Sequence, residues 1–484
     1  DAGVAYALVD DRHFLAAGFE REQLHQPWHT ESDGRGLDLF AIDERLRYLI
    51  PFRPPGEAVQ YFRDLRERGH GLAILADDGE KFGGWPGTRE LVYGRGWLLD
   101  FLGAMERMVA AGEMRLVSFQ RALAEIPVGG LAYLPTASYR EMEGWSLPDP
   151  AARRLQMLEN ELGEERLRGP DGALVRGSHW RNFLVKYPES NRMQKKASAL
   201  SRLCRARGNP VEARRAIGRA QCNDAWWHGV FGGLYLPHLR HAIWRELARA
   251  ESLLRHDESL EWEVVDADAD GHDEILIHSS AFSATISPRR GGALEEYSVF
   301  GSGVNYADAL TRRREAYHRV EEVTVPDDHA GTASIHEIQS AARLKELPPV
   351  DRHPRALFVD RITMPDGLDG SPGTVDPWWA GATVAREPVV EKDEEGTLAL
   401  TLTTPVDAPV RVRKQYRFGP NGLLQVSVDW HADDAPESAV FALELSLGHP
   451  LGLTCSPGAE MVRYPITTVS MSERGFDHTV QGEA

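Results

Sequence analysis

The chain has 484 residues, enough for two or three domains, and its 42% hydrophobic content supports sizeable cores. A net charge of −18 with a pI near 5.5 argues against nucleic-acid binding, which needs clustered Lys and Arg. No uninterrupted apolar run reaches the length of a membrane-spanning helix.

Cys204, Cys222 and Cys455 are odd in number and far apart. They make neither a disulfide framework nor a zinc site, and a reducing, cytoplasmic setting is the simpler expectation. No internal repeat or low-complexity tract stands out.

In chain order, the first 150 residues alternate strand-like with helical patterns. Val4-Ala5-Tyr6-Ala7-Leu8-Val9 reads as a strand that ends in Asp10-Asp11-Arg12-His13. Leu72 to Leu75, Met114 to Phe119 and Gly130 to Leu134 read as further strands. Helical patterns cover Glu57 to Glu67 and Gly96 to Ala111. Such alternation argues for a parallel sheet or a (β/α) barrel.

Pro148-Asp149-Pro150 punctuates the chain, and a mostly helical stretch follows to about residue 256. Within it, Asn209-Pro210-Val211-Glu212 reads as a helix start with Asn as N-cap, and His241 to Arg255 is a long amphipathic run. From Trp262 the period drops to two. Val410, Val412, Tyr416 and Phe418 share one face, with Arg411, Arg413, Gln415 and Arg417 on the other. After Gly419-Pro420-Asn421-Gly422, Leu424, Val426, Val428 and Trp430 repeat the alternation, which predicts an antiparallel hairpin within a β-sandwich. The expected division is 1–150, 151–258 and 262–484.

The stretch Ala76-Asp77-Asp78-Gly79-Glu80-Lys81-Phe82-Gly83-Gly84-Trp85-Pro86-Gly87-Thr88 carries the densest chemistry. It follows the apolar run at 72–75, so its carboxylates would sit at a strand's carboxyl end, where α/β folds place their sites. Glycoside cleavage needs a carboxylic acid for the bridging oxygen and gains from an aromatic face for the sugar ring. Asp78 is the candidate acid/base, because Asp77 and Glu80 beside it would raise its pKa. For an isolated Asp-Asp-Gly an acidic turn is the simpler reading; Glu80, the glycines and Trp85 put the catalytic reading beside it.

Three other stretches hold candidates. Asp10, Asp11 and His13 would bind substrate or metal, or else form a capping cluster. Gln221 to Gly229, with Asp224, Trp226, Trp227 and His228, would line a sugar subsite or supply a core aromatic pair. Asp266-Ala267-Asp268-Ala269-Asp270-Gly271 looks like the start of a calcium loop, but its twelfth position is Ile277 and its flanks are strand-like, so a hairpin turn is expected there.

These motifs resemble glycoside hydrolase family 57, in particular its 4-α-glucanotransferases. The resemblance rests on Asp77 to Gly83, Tyr48 to Pro54, Tyr133 to Tyr139, Lys186 to Asn191 and Gln221 to His228 with Gly232 to Leu239. Ser287 to Gly292 and Ala333 to Glu337 extend it downstream. It implies a retaining enzyme on α-1,4-glucans, without cofactor or metal. The implied fold is multidomain, α/β plus all-β: the C-terminal part of an incomplete (β/α)7 TIM-like barrel, a helical region and a β-sandwich. By position, Asp78 matches the family's general acid/base. Glu80, Trp85, Asp224 and Trp227 match positions that contact glucan, and His13 matches one near the site.

The family's nucleophile, a glutamate in a Thr-Glu-Arg-Val-Trp-like segment, has no counterpart in these 484 residues. The chain, which opens Asp1-Ala2-Gly3 without Met, reads as trimmed at both ends. A retaining mechanism needs two carboxyl groups roughly 5 Å apart. Little or no activity is therefore expected of the chain as it stands, with glucanotransferase activity in the intact parent. The alternatives are an α-amylase-type hydrolase of the same family, a metal-dependent carbohydrate deacetylase using Asp10, Asp11 and His13, and a non-catalytic α-glucan-binding protein. The expected partner is an α-1,4-glucan, with neither nucleic acid nor membrane, and homo-oligomers stay open.

Overall fold

A computed structural model describes residues 3–85, 87–229, 233–318, 347, 349–367, 374, 376–449, 465–466 and 482–483. Cys455, Pro86, Gly232 and the motif Ala333 to Glu337 lie outside the described residues. The chain divides into two compact units. Among the described residues, one spans 3–182 and the other runs from 183 onward.

The first unit holds a three-stranded sheet. Tyr6–Asp10 runs parallel to Arg35–Ile42, which pairs on its other side with antiparallel Trp28–Ser32. Leu39 and Ala41 pack with Phe14, Leu24 and Trp28, while Phe40 between them packs with Ile74 and Ala122. A strand covered on both faces must be apolar at successive positions, which is how Leu39-Phe40-Ala41 reads.

Helices Pro55–Glu67 and Trp97–Ala110 form where the periodicity places them. Asp43 starts the helix Glu44–Leu49, accepting from the Arg45 and Leu46 amides at 2.9 and 3.3 Å.

Three expected strands are not strands. Leu72 to Leu75 is unpaired as a ladder, although the Ile74 carbonyl accepts from the Asp43 amide at 3.0 Å and Ile74 is buried. Gly130 to Leu134 touches the sheet through a single parallel bridge, His29 to Leu131. Met114 to Ser118 is irregular, leaving Leu116 73% exposed, and Ser118 caps a helix, Phe119–Glu125. A strand needs a neighbour to satisfy its backbone groups, and 114–118 has none among the described residues.

The second unit opens with helices Pro188–Ala206, Val211–Arg219 and Pro237–Leu254. Asn209 is not the N-cap of the second: Pro210 holds that position, without a side-chain cap. Asn209 instead takes a left-handed φ of 59° that closes the preceding turn, and its Oδ1 accepts from the Cys204 thiol.

The β region is a sandwich. An eight-stranded sheet includes Glu261–Val265, Glu274–His278, Phe282–Ser287, Ala293–Val299 and Leu357–Thr363. A four-stranded antiparallel sheet comprises Glu387–Lys392, Leu398–Thr403, Val410–Phe418 and Leu424–Ala432. One core joins them: Ile275, Ile277, Phe282, Ala284 and Ile286 meet Leu398, Leu400, Leu402, Tyr416 and Phe418. The expected hairpin forms, with Phe418 opposite Leu424 and Val410 opposite Ala432. Lys414 sits among the inward residues, fully buried. Its Nζ donates to the Gly291 carbonyl at 3.0 Å and pairs with Asp360, and burial pulls its pKa down to about 8.

Candidate functional site

In the first unit, Asp77 and Asp78 leave the apolar run in opposite circumstances. The Asp77 side chain is buried, paired with the Lys81 ammonium and 3.5 Å from Arg47 Nε, and its Oδ1 accepts from the Asp78 amide at 2.9 Å. Lys81 is itself buried and also donates to the Arg47 carbonyl at 3.0 Å. Asp78 is exposed at the surface. Its carboxyl is crowded by protein on one side, and that loss of hydration raises its pKa. Asp77 and Glu80 push the same way, against Lys81 and Arg47.

The loop after Asp78 is a short 3-10 turn, Gly79–Phe82. The Glu80 carbonyl accepts from the Gly84 and Trp85 amides at 2.7 and 2.9 Å, and Gly83, at a φ of 132°, makes that reversal without a Cβ penalty. Trp85 is thereby brought over Phe52, ring centres 5.9 Å apart, with the Lys81 ammonium 5.5 Å from each ring. The Trp85 carbonyl accepts from the buried Thr88 hydroxyl at 2.7 Å. Asp78, Glu80 and Trp85 thus share one anchored loop.

Arg47 ties this loop to the sheet. Its guanidinium reaches Asp10 at 2.9 Å and lies 5.6 Å from the Tyr139 ring centre. Burial raises the Tyr139 pKa, and Glu141 and Asp78 raise it further. His13 lies on the short helix Asp11–Leu15 with its Nδ1 3.1 Å from the Asp10 carbonyl oxygen.

Asp10, Asp11 and His13 are each engaged otherwise than as joint ligands. Asp10 caps that helix and pairs with Arg47, while Asp11 pairs with Arg21 at 2.6 Å. Among the described residues, Asp266, Asp268 and Glu274 are the group of His, Cys, Asp or Glu with ligand atoms all within 4.8 Å. They sit at the turn of the hairpin Glu261–Val265 and Glu274–His278, as the strand-like flanks suggested. Asp266 is used by the Asp270 and Gly271 amides, each at 3.0 Å.

In the second unit, Asn223–Trp226 is a 3-10 turn with Asp224 exposed. The Trp-Trp pair divides its roles. Trp226 is buried, whereas Trp227 is half-buried, donates its indole N–H to Asn223 Oδ1 at 3.2 Å and packs on Phe183 at 5.8 Å. Gly233 keeps the returning chain close: a Cβ there would stand 2.2 Å from the Trp227 carbonyl oxygen. His228 is buried, 2.8 Å from the Tyr317 hydroxyl.

Behind this loop lies a carboxylate that sequence reasoning missed. Glu315 is 1% exposed and accepts from the Tyr187 and Tyr235 hydroxyls at 2.6 and 2.7 Å, with Lys186 Nζ at 2.8 Å. Burial would push its pKa up. Lys186 first, then His228 and the hydrogen bonds, outweigh burial and hold it at about 2. The Lys186-Tyr187 and Tyr235 motifs were the available signal, but nothing adjacent to Glu315 in sequence marks it.

Three family models match the chain. Residues 1–135 match the model described as Glycosyl hydrolase family 57. Residues 178–254 match the alpha-amylase/4-alpha-glucanotransferase middle domain, and 266–454 and 446–484 match the C-terminal domain of the same description. The chain is similar to the 4-alpha-glucanotransferase of Thermococcus litoralis, 36% identical over 523 residues, covering 100% of this chain and 76% of the relative. It is also similar to an alpha-amylase of Pyrococcus furiosus, 42% identical over 365 residues, covering 75% of this chain and 54% of the relative. The crystal structure of the T. litoralis 4-alpha-glucanotransferase superposes with a TM-score of 0.75 at 37% identity, covering 92% of this chain and 66% of that one. The protein is therefore of the class that makes and breaks glycosidic bonds. It belongs to glycosyl hydrolase family 57.

Proposed function

We propose that the parent of this chain is a 4-α-glucanotransferase on α-1,4-glucans, working by a retaining double displacement in which Asp78 is the general acid/base and the nucleophile glutamate has no counterpart in these 484 residues. The observation that carries the reading is the loop 77–85: an exposed carboxyl with a raised pKa on the same anchored loop as a tryptophan stacked on Phe52. A raised pKa keeps Asp78 protonated to higher pH, so it can give its proton to the glycosidic oxygen and take one back from the acceptor hydroxyl. Asp77, paired with Lys81, supports the loop. Glu80 and Trp85 contact sugar on this unit, with His13 bordering them, and Asp224 and Trp227 contact sugar on the second unit. In this reading 1–150 is the barrel portion that carries the acid/base, 151–258 a helical region that supplies glucan contacts, and 262–484 the β-sandwich domain.

Hydrolysis is the second reading, favoured by relatives named alpha-amylase. The outcome turns on whether water or a sugar 4-hydroxyl reaches the intermediate. The deacetylase reading loses its support, since Asp10 and Asp11 are spent on arginines. Incubation of the full open reading frame and of the 484-residue chain with maltotetraose tests the proposal. Longer and shorter oligosaccharides together support transfer, shortening alone means hydrolysis, and no change with the full frame refutes both.

A further inference from the structure

Glu315 is named in none of the motifs above, yet it is a buried carboxylate that holds two tyrosines packed around the Trp227 loop. Two chain segments meet at its Oε1. Tyr187 comes from the segment that also supplies Phe183, and Tyr235 ends the loop that carries Asp224 and Trp227. Phe183 stacks on Tyr187 at 6.2 Å and lies under the Trp227 indole at 5.8 Å. On the other side, the Leu234 amide donates to the Trp227 carbonyl at 2.8 Å, one residue before Tyr235. His228 packs on Tyr235 with ring centres 4.4 Å apart. Both the floor under the indole and the return of its loop are therefore tied to one oxygen atom. The second oxygen has a separate duty, pairing with Lys186 at 2.8 Å.

We infer that Glu315 is a positioning residue for glucan binding: through Tyr187 and Tyr235 it sets the angle at which Trp227 meets a sugar ring. The inference rests on the proposed role of Trp227. A rigid indole binds a pyranose face without first losing its own rotational freedom, whereas a loosened one must be ordered at each binding event. The division of labour between the two oxygens separates positioning from plain support. Glu315→Gln keeps an oxygen for both phenols and loses only the charge facing Lys186, so it lowers stability while preserving the aromatic frame. Glu315→Ala removes both.

The test is calorimetric titration of the 484-residue chain with maltoheptaose, for the parent, Glu315→Ala, Glu315→Gln, Trp227→Ala and the Glu315→Ala/Trp227→Ala double variant. The expected result is a Kd weakened about ten-fold by Glu315→Ala and less than about three-fold by Glu315→Gln. The double variant should stay within about two-fold of Trp227→Ala, because the two changes remove one interaction. If Glu315→Ala has no effect while Trp227→Ala weakens binding, or if the two losses multiply, the inference is overturned. If Trp227→Ala alone leaves Kd unchanged, the role of Trp227 has failed and the inference falls with it. Should Glu315→Ala not fold, Tyr187→Phe with Tyr235→Phe replaces it under the same criteria.

Discussion

Asp78 and Glu315 are two carboxylates that the same chain treats in opposite ways. Asp78 is exposed and its pKa is raised; Glu315 is fully buried and its pKa falls to about 2. Loss of hydration pushes both upward. What differs is the company: around Asp78 the carboxylates Asp77 and Glu80 are countered by Lys81 and Arg47, whereas Glu315 faces a lysine and two phenol donors that outweigh its burial. At Asp78 loss of hydration sets the direction of the shift, at Glu315 the neighbours reverse it, and each direction suits its task. A proton donor must keep its proton at working pH. An anchor must stay charged.

The largest effect that would break this contrast is at Asp78. Asp78→Asn should lower glucan transfer by about a thousand-fold, the range of general acid/base catalysis, with the fold intact by circular dichroism. Retention of most activity would remove Asp78 from the chemistry. At Glu315, truncation to Ala leaves Lys186 buried without its anion, which should cost about 3–5 kcal/mol in denaturant unfolding. A loss under about 1 kcal/mol would mean that the cluster is not a stabilising unit.

Acid should expose the same contrast. Glu315 and Glu189 are both held at about 2, below the usual carboxylate value of 4.5. Glu189 is paired with Arg313 at 2.9 Å. Folded-state pKa values lower than unfolded ones give stability that is complete above pH 4.5 and lost as pH falls toward 2, on the order of 3 kcal/mol for each group. Unfolding measured across that window should steepen for the parent and flatten for Glu189→Gln.

A smaller effect is expected at Trp85, where Ala should weaken maltodextrin binding by about 1–2 kcal/mol. The smallest belongs to Lys81. Its charge lowers the Asp78 pKa, so Lys81→Met should move the basic limb of the activity profile upward by less than about one unit. A downward move would contradict the electrostatics of the loop.

Much of this architecture was legible because it is local. Alternation alone places the hairpin Val410–Phe418 and Leu424–Ala432, and helical periodicity places Pro55–Glu67 and Trp97–Ala110. The loop 77–85 was legible for the same reason: its carboxylates and its indole are neighbours in sequence. What escaped is non-local. Glu315 is 128 residues from Tyr187 and 80 from Tyr235. Lys414 looks like one more polar residue in a strand until Asp360 is found opposite it. Leu72 to Leu75 and Met114 to Ser118 have the composition of strands, but pairing depends on a neighbour that composition cannot specify.

The most direct measurement is the maltotetraose product ladder of the full open reading frame, with Asp78 intact and as Asp78→Asn. A ladder extending above and below four glucose units, lost in the variant, is the predicted result. An undiminished ladder from Asp78→Asn would contradict it and place the proton donor elsewhere.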